Sequence, residues 1–152
     1  MSEQERIADQ YSRLFNGDSW IDVNIMDTLA SLSHKQAAAK PFREANSIWQ
    51  IVNHLVSWRE TVVKRIKGEN IPSPEHNFFL PVADTSEAAW EKTITDFETS
   101  QQAWLTALKV MTPGEVEQVY TPRNQTNYEL IMGILQHDAY HLGQIVILKK
   151  FV

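Results

Sequence analysis

TNYELIMGILQHDAYHLGQIVILKKFV, residues Thr126–Val152, is the stretch from which the fold can be read. Thr126 and Glu129 form a capping box: the hydroxyl accepts from the backbone three residues on, and the carboxylate reaches back. Downstream, Leu130, Ile131, Ile134, His141, Ile145 and Leu148 recur at spacings of three, four and seven, the period of an amphipathic helix. No proline interrupts the run, and Lys149 and Lys150 suit its C-terminal end. His137 and His141 stand four apart and share a face, which is also the apolar one. An unpaired buried polar group costs about 1–3 kcal/mol. The pair therefore calls either for hydrogen-bond partners in or beside a core, or for a metal ion chelated from adjacent helical turns. Asp138 follows His137, so the HExxH pattern of helix-borne zinc proteases is absent. A third ligand has to come from elsewhere in the chain.

Length and composition narrow the field. A chain of 152 residues is expected to be one domain, 1–152, burying roughly 68–70% of its unfolded surface. Its 43% hydrophobic and 22% charged residues describe an ordinary soluble globular protein. A formal charge of −5 argues against a nucleic-acid surface, which needs a basic patch. Met1–Asp9 is charged and no apolar run approaches the ~18 residues of a membrane span, so no membrane partner is expected and the cytoplasm is the expected location. There is no cysteine. Any metal site must use His, Asp or Glu, and any thiol in the chemistry must arrive with a ligand.

Taken in order, Gln4–Phe15 and Ser19–Leu32 read as helix, separated by Asn16-Gly17-Asp18. Asp18 or Ser19 is the expected cap of the second piece, with Trp20, Val23, Ile25, Met26 and Leu29 facing inward. Ser33 with Gln36 caps a short helix through Ala39, closed by Pro41. The next helix, Ser47–Lys67, is capped by Asn46 or Ser47 and stopped by Gly68, and His54 borders its apolar stripe. Pro72, Pro74 and Pro81 make Glu69–Ala83 a loop, in which His76 is expected to be solvated. Asp84 and Glu87 read as a further capping box, opening a helix to Val110 lined by Trp90, Phe97, Trp104 and Leu108. Met111–Gln125 reads as loop, with a short strand-like piece at Val116–Tyr120. The sum is an all-α four-helix bundle. Its connections, about 13–16 residues long, exceed those of simple up-down bundles, so they can recross it and leave a parallel pair of neighbours. Four of the five tryptophans are expected in the core.

His54 is the candidate third ligand, since a histidine on one packed helix can meet a chelating pair on its neighbour. Three imidazoles would leave a divalent ion with open positions, the arrangement of catalytic sites. HDAYHLGQIVILKK at His137–Lys150, NSIWQIVNHLVSWRE at Asn46–Glu60 and DTSEAAW at Asp84–Trp90 resemble the DinB/YfiT-like superfamily over essentially the whole chain. The resemblance implies a bundle of up-down-down-up topology, a homodimer, and a metal triad that falls on His54, His137 and His141. It also implies thiol chemistry, since relatives include metal-dependent S-transferases that use bacillithiol or mycothiol.

The expected cofactor is a divalent ion, zinc or nickel, with a low-molecular-weight thiol as co-substrate beside a small-molecule electrophile. A metal-dependent hydrolase is the alternative, because the same ion would lower the pKa of bound water towards ~7. A metal-binding or stress-response protein without turnover is another, as is a structural bundle with satisfied core histidines. Gln144, Asn53 and Asp138 are candidates to orient the metal-bound rings. Gln144 shares the face of His141, whereas Asp138 lies about 100° around the helix from His137, towards another helix or solvent. Tyr140 is expected in the core or at an interface.

Overall fold

The computed structural model describes residues 1–152. Four long helices carry the architecture: α1 (Glu3–Asn16), α4 (Ile48–Ile66), α5 (Glu87–Val110) and α7 (Asn127–Leu148). Three short ones, α2 (Ile25–Ala30), α3 (His34–Ala38) and α6 (Pro113–Glu117), lie in the connections. The strands β1 (Val119–Tyr120) and β2 (Gln125–Thr126) pair antiparallel, Val119 opposite Thr126. No helix is long and apolar enough to cross a membrane.

Side-chain contacts give the direction of each long helix. Tyr11 meets Trp104 and Phe15 meets Phe97, so α1 and α5 run antiparallel. Trp49 packs on Trp90 while Arg59, further along, lies over Phe97, so α4 and α5 run parallel. His54 meets His141, and near the far end of α4 the carbonyl of Ile66 accepts from the Asn127 side chain, so α4 and α7 run antiparallel. The order is therefore up-down-down-up, with α4 and α5 the parallel neighbours that the long connections allow.

The core is two apolar clusters stacked along the bundle. One gathers Leu14, Phe15, Trp49, Leu55, Phe97 and Leu142. The other gathers Ile7, Tyr11, Val62, Trp104, Leu130 and Ile131. Between them three of the four long helices cross a polar level: Arg59 on α4, Ser100 and Gln101 on α5, Asp138 on α7, all buried. Buried polar groups persist only when held by partners, so this belt is where chemistry could be stored.

Capping explains most boundaries. Ser33, Ser47 and Thr126 cap their helices, each in a box with the Gln or Glu three residues on. Gly68 stops α4 at φ 89, a backbone conformation that side chains resist. The six apolar-face residues named for α7 are all buried.

Elsewhere the structure corrects the sequence reading. Residues 19–24 are not helical; Asn24, not Asp18 or Ser19, caps α2, and Asp22 has φ 60. Trp20 stands 95% exposed and Val23 is exposed too, so neither faces inward. Trp49, Trp90 and Trp104 are buried, but Trp58 is only half-buried, leaving three core tryptophans instead of four. Ser86, not Asp84, caps α5, and Asp84 instead accepts from Ser86 N–H at 2.9 Å. Thr112 and Glu115 box in an unforeseen short helix, α6, so only Val119–Tyr120 of the anticipated strand is extended.

Candidate metal centre

Two antiparallel helices meet at their middles next to the polar belt, and there the three histidines come together. His54 projects from α4, and His137 and His141 project from successive turns of α7. His54 Nε2 lies 2.8 Å from His137 Nε2. The ring of His141 is centred 4.7 Å from that of His54 and 4.5 Å from that of His137. One nitrogen from each ring falls within 4.8 Å of the others, a group that could hold a metal ion. His54 and His141 are buried, while His137 is half-buried and gives the group its edge towards solvent.

The far side of two rings is held by carbonyl oxygens, which accept hydrogen bonds and cannot donate them. His54 Nδ1 lies 2.6 Å from the carbonyl of Asn77. His141 Nδ1 lies 2.6 Å from Gln144 Oε1, and the amide end of Gln144 donates to Tyr140 Oη at 3.0 Å. Each neutral ring therefore keeps its proton on Nδ1 and turns the Nε2 lone pair to the centre. Burial pushes both histidines down to about 4, outweighing the Asn77 carbonyl on His54 and the Gln144 side chain on His141. At neutral pH they are uncharged, the form that ligates metals. The 2.8 Å contact to His137 sets a lone pair of His54 against another nitrogen. It calls either for an Nε2–H on one ring donating to the other or for a cation shared by the rings. The donor set thus fits a divalent ion of the kind that imidazole suits.

The walls come from a loop that periodicity could not assign. Phe79 stacks on His54 with ring centroids 4.0 Å apart. Phe78 meets Trp58 edge-on, and Trp58 Nε1 donates to Asn77 Oδ1 at 2.9 Å. Asn77 and Phe78 both have positive φ, 48 and 60, which is uncommon for Asn and costly for Phe. The loop Glu69–Ala83 is thus bent to bring one carbonyl and the Phe79 ring onto the site, with Phe78 against Trp58. Its sequence trace is the apolar run Phe78-Phe79-Leu80 just before Pro81.

The other candidates divide. Gln144 touches His141 directly, as its place on the same face suggested. Asp138 points across to α4, where Arg59 holds it at 2.6 Å with both side chains sealed from water. No hydrogen bond joins the Asn53 side chain to a histidine; its carbonyl accepts from Ser57 Oγ. The partner of His54 Nδ1 is instead the carbonyl of Asn77, from the loop. Tyr140 is exposed and reaches the site through Gln144. His34 and His76 lie elsewhere, the first bonded to the Thr85 carbonyl and the second exposed in its loop.

Beside Gln144 a pocket of about 260 Å³ opens between α7 and the segment before α4, lined by Ala45, Asn46, Ile51, Ile147 and Leu148. Comparison with known proteins adds one finding: the family model described as the DinB superfamily matches residues 23–145. No curated protein and no solved structure matches the chain.

Proposed function

This chain belongs to the DinB superfamily, and from that premise we propose that it is a metal-dependent enzyme acting on small molecules, a low-molecular-weight-thiol S-transferase. The observation that carries the metal half is the convergence of His54, His137 and His141, with Asn77 and Gln144 fixing two rings so that Nε2 faces inward. A divalent ion held there, zinc or nickel, supplies a Lewis acid that favours a thiol (free pKa ~8.5) as its thiolate.

What the protein's own groups do is orient and exclude. Asn77 and Gln144 lock two imidazoles so that no reorganisation is needed when a ligand arrives. Phe79 and Trp58 shield the rings on one side from water, which strengthens any electrostatic contact inside. The pocket beside Gln144 is large enough for a small electrophile, and Asn46 and Gln144 give it polar points of attachment. The absence of cysteine means that any reacting sulfur enters as a substrate. A hydrolase would use the same three ligands, and the choice of transferase rests on the family.

Purified protein should contain about one divalent ion per chain, and His137→Ala should abolish it, whereas His34→Ala and His76→Ala should not. A panel of thiols with electrophilic acceptors, run with and without chelator, tests the chemistry. Turnover that needs thiol and metal together supports the transferase. Turnover with water alone makes the protein a hydrolase. Metal binding without turnover of either kind leaves a binding protein, and unchanged rates after complete metal removal would rule out the mechanism.

A further inference from the structure

Three imidazoles form the centre, yet only two have an acceptor on the far nitrogen. His54 has the Asn77 carbonyl and His141 has Gln144. His137 turns Nε2 to His54, which leaves its Nδ1 facing Asp138 Oδ1 at 3.9 Å. Both of these atoms are sealed from water and neither has a hydrogen-bond partner. Two unsatisfied polar atoms that face each other inside a protein are rarely accidental.

The rest of Asp138 is fully committed. Arg59 Nη2 and Nε both donate to Oδ2, at 2.6 and 3.3 Å, and none of its donors goes to Oδ1. The guanidinium lies over the rings of Phe15 and Phe97 at 5.3 and 4.8 Å, and its Nη1 is a buried donor without a partner too. Asp138 is thus held by one oxygen with the other turned towards His137. A shift of about 1 Å, within reach of a small ring rotation, brings the pair to hydrogen-bond distance.

We infer that with Nε2 of His137 turned to a bound ion, Asp138 Oδ1 accepts the Nδ1–H of His137, and that Arg59 positions it to do so. Asp138 is a positioning residue: it acts on the third ligand and touches no substrate. A carboxylate is a stronger acceptor than the carbonyl and amide that serve the other two rings. The ring it would hold is also the one nearest solvent. The inference rests on the metal-centre reading, and the alternative is that Asp138 serves only as the ion-pair partner of Arg59.

Zinc-loaded protein labelled with ¹⁵N-histidine tests it. The wild type should show a His137 Nδ1–H that is strongly deshielded and slow to exchange. Removing the pair together, Arg59→Met/Asp138→Leu, avoids leaving a lone buried charge. That variant should lose the protected proton and bind zinc 10–100-fold more weakly in chelator competition. Arg59→Met/Asp138→Asn restores a carbonyl acceptor without the charge and should recover both signals in large part. If the Leu variant binds zinc as the wild type does with its His137 proton unchanged, Asp138 is only an ion-pair partner and the inference is overturned. Should neither variant fold, an unprotected His137 proton in the zinc-loaded wild type overturns it equally. Failure of the wild type to bind zinc, or nickel in the same competition, defeats the metal reading itself and is seen separately, before any variant is made.

Discussion

At the scale of single residues, His54 and His141 have a cost that pH exposes. Burial holds both near 4 in the folded chain, against an ordinary 6.5. Between those values the unfolded chain binds more protons than the folded one, so stability falls as pH falls. Metal-free protein should therefore show a urea midpoint that is flat above about pH 6.5 and declines steadily to pH 4. A His54→Gln/His141→Gln variant should show much less of that slope, and an unchanged slope would mean the two rings are not neutral in the fold. Tyr11 bends the alkaline side. Burial and the neighbouring Asp138 raise it well above 10, so stability present below pH 10 is lost as the pH rises further, and Tyr11→Phe should flatten that limb. The Arg59–Asp138 pair gives the largest single-residue effect. Asp138→Ala strands a buried guanidinium and should cost about 3–5 kcal/mol, whereas replacing both partners with apolar residues should cost far less. Chemical denaturation of the three proteins decides this.

Elements were legible where a local signal named its own boundary. Thr126 with Glu129, Ser33 with Gln36 and Gly68 are such signals, and each acts as read. Asp84 with Glu87 has the same spacing but lost to Ser86, because Asp84 folds back onto the Ser86 N–H while the Ser86 hydroxyl takes the Ala89 N–H. Two caps two residues apart cannot be ranked from sequence alone. Ser86→Ala should therefore cost about 1 kcal/mol, as should Thr126→Ala, while Asp84→Ala should cost less; thermal unfolding of the three variants checks the ranking. Residues 19–24 failed for a related reason. Trp20 and Val23 fit a helical period, but Asn24 caps α2 at its side chain and donates to the Gly17 carbonyl, tying the turn shut. At the site, the histidines and Gln144 could be placed because side-chain spacing carries them. The partner of His54 could not, since it is a backbone carbonyl and every residue has one; only the folded loop reveals that Asn77 supplies it.

At the scale of the whole molecule, the outer face of α7 is left apolar. Tyr140, Ile147 and Phe151 lie on one side of the chain's last turns and are all exposed, and Phe42 packs edge-on against Phe151 at 5.1 Å. Tyr140, Gly143 and Ile147 recur at three, four and seven residues, so they form a stripe along the helix. Water-facing stripes of this kind usually mark an interaction surface, and we expect a second copy of the chain to cover this one, as the family precedent suggests. The stripe does not include the histidines, but it reaches them through the Tyr140–Gln144–His141 hydrogen bonds. Assembly should therefore steady Gln144 without supplying a ligand. Sedimentation should show a dimer at tens of micromolar, above a micromolar dissociation constant, which corresponds to a binding free energy of about −8 kcal/mol. Ile147→Glu should turn it to monomer with unchanged circular dichroism and unchanged metal content. If the wild type sediments as a monomer, this face has no second copy to bury it. If Ile147→Glu stays dimeric, the interface lies elsewhere. If the monomeric variant loses its metal, the three histidines depend on the partner and are not the self-contained site that the single chain presents.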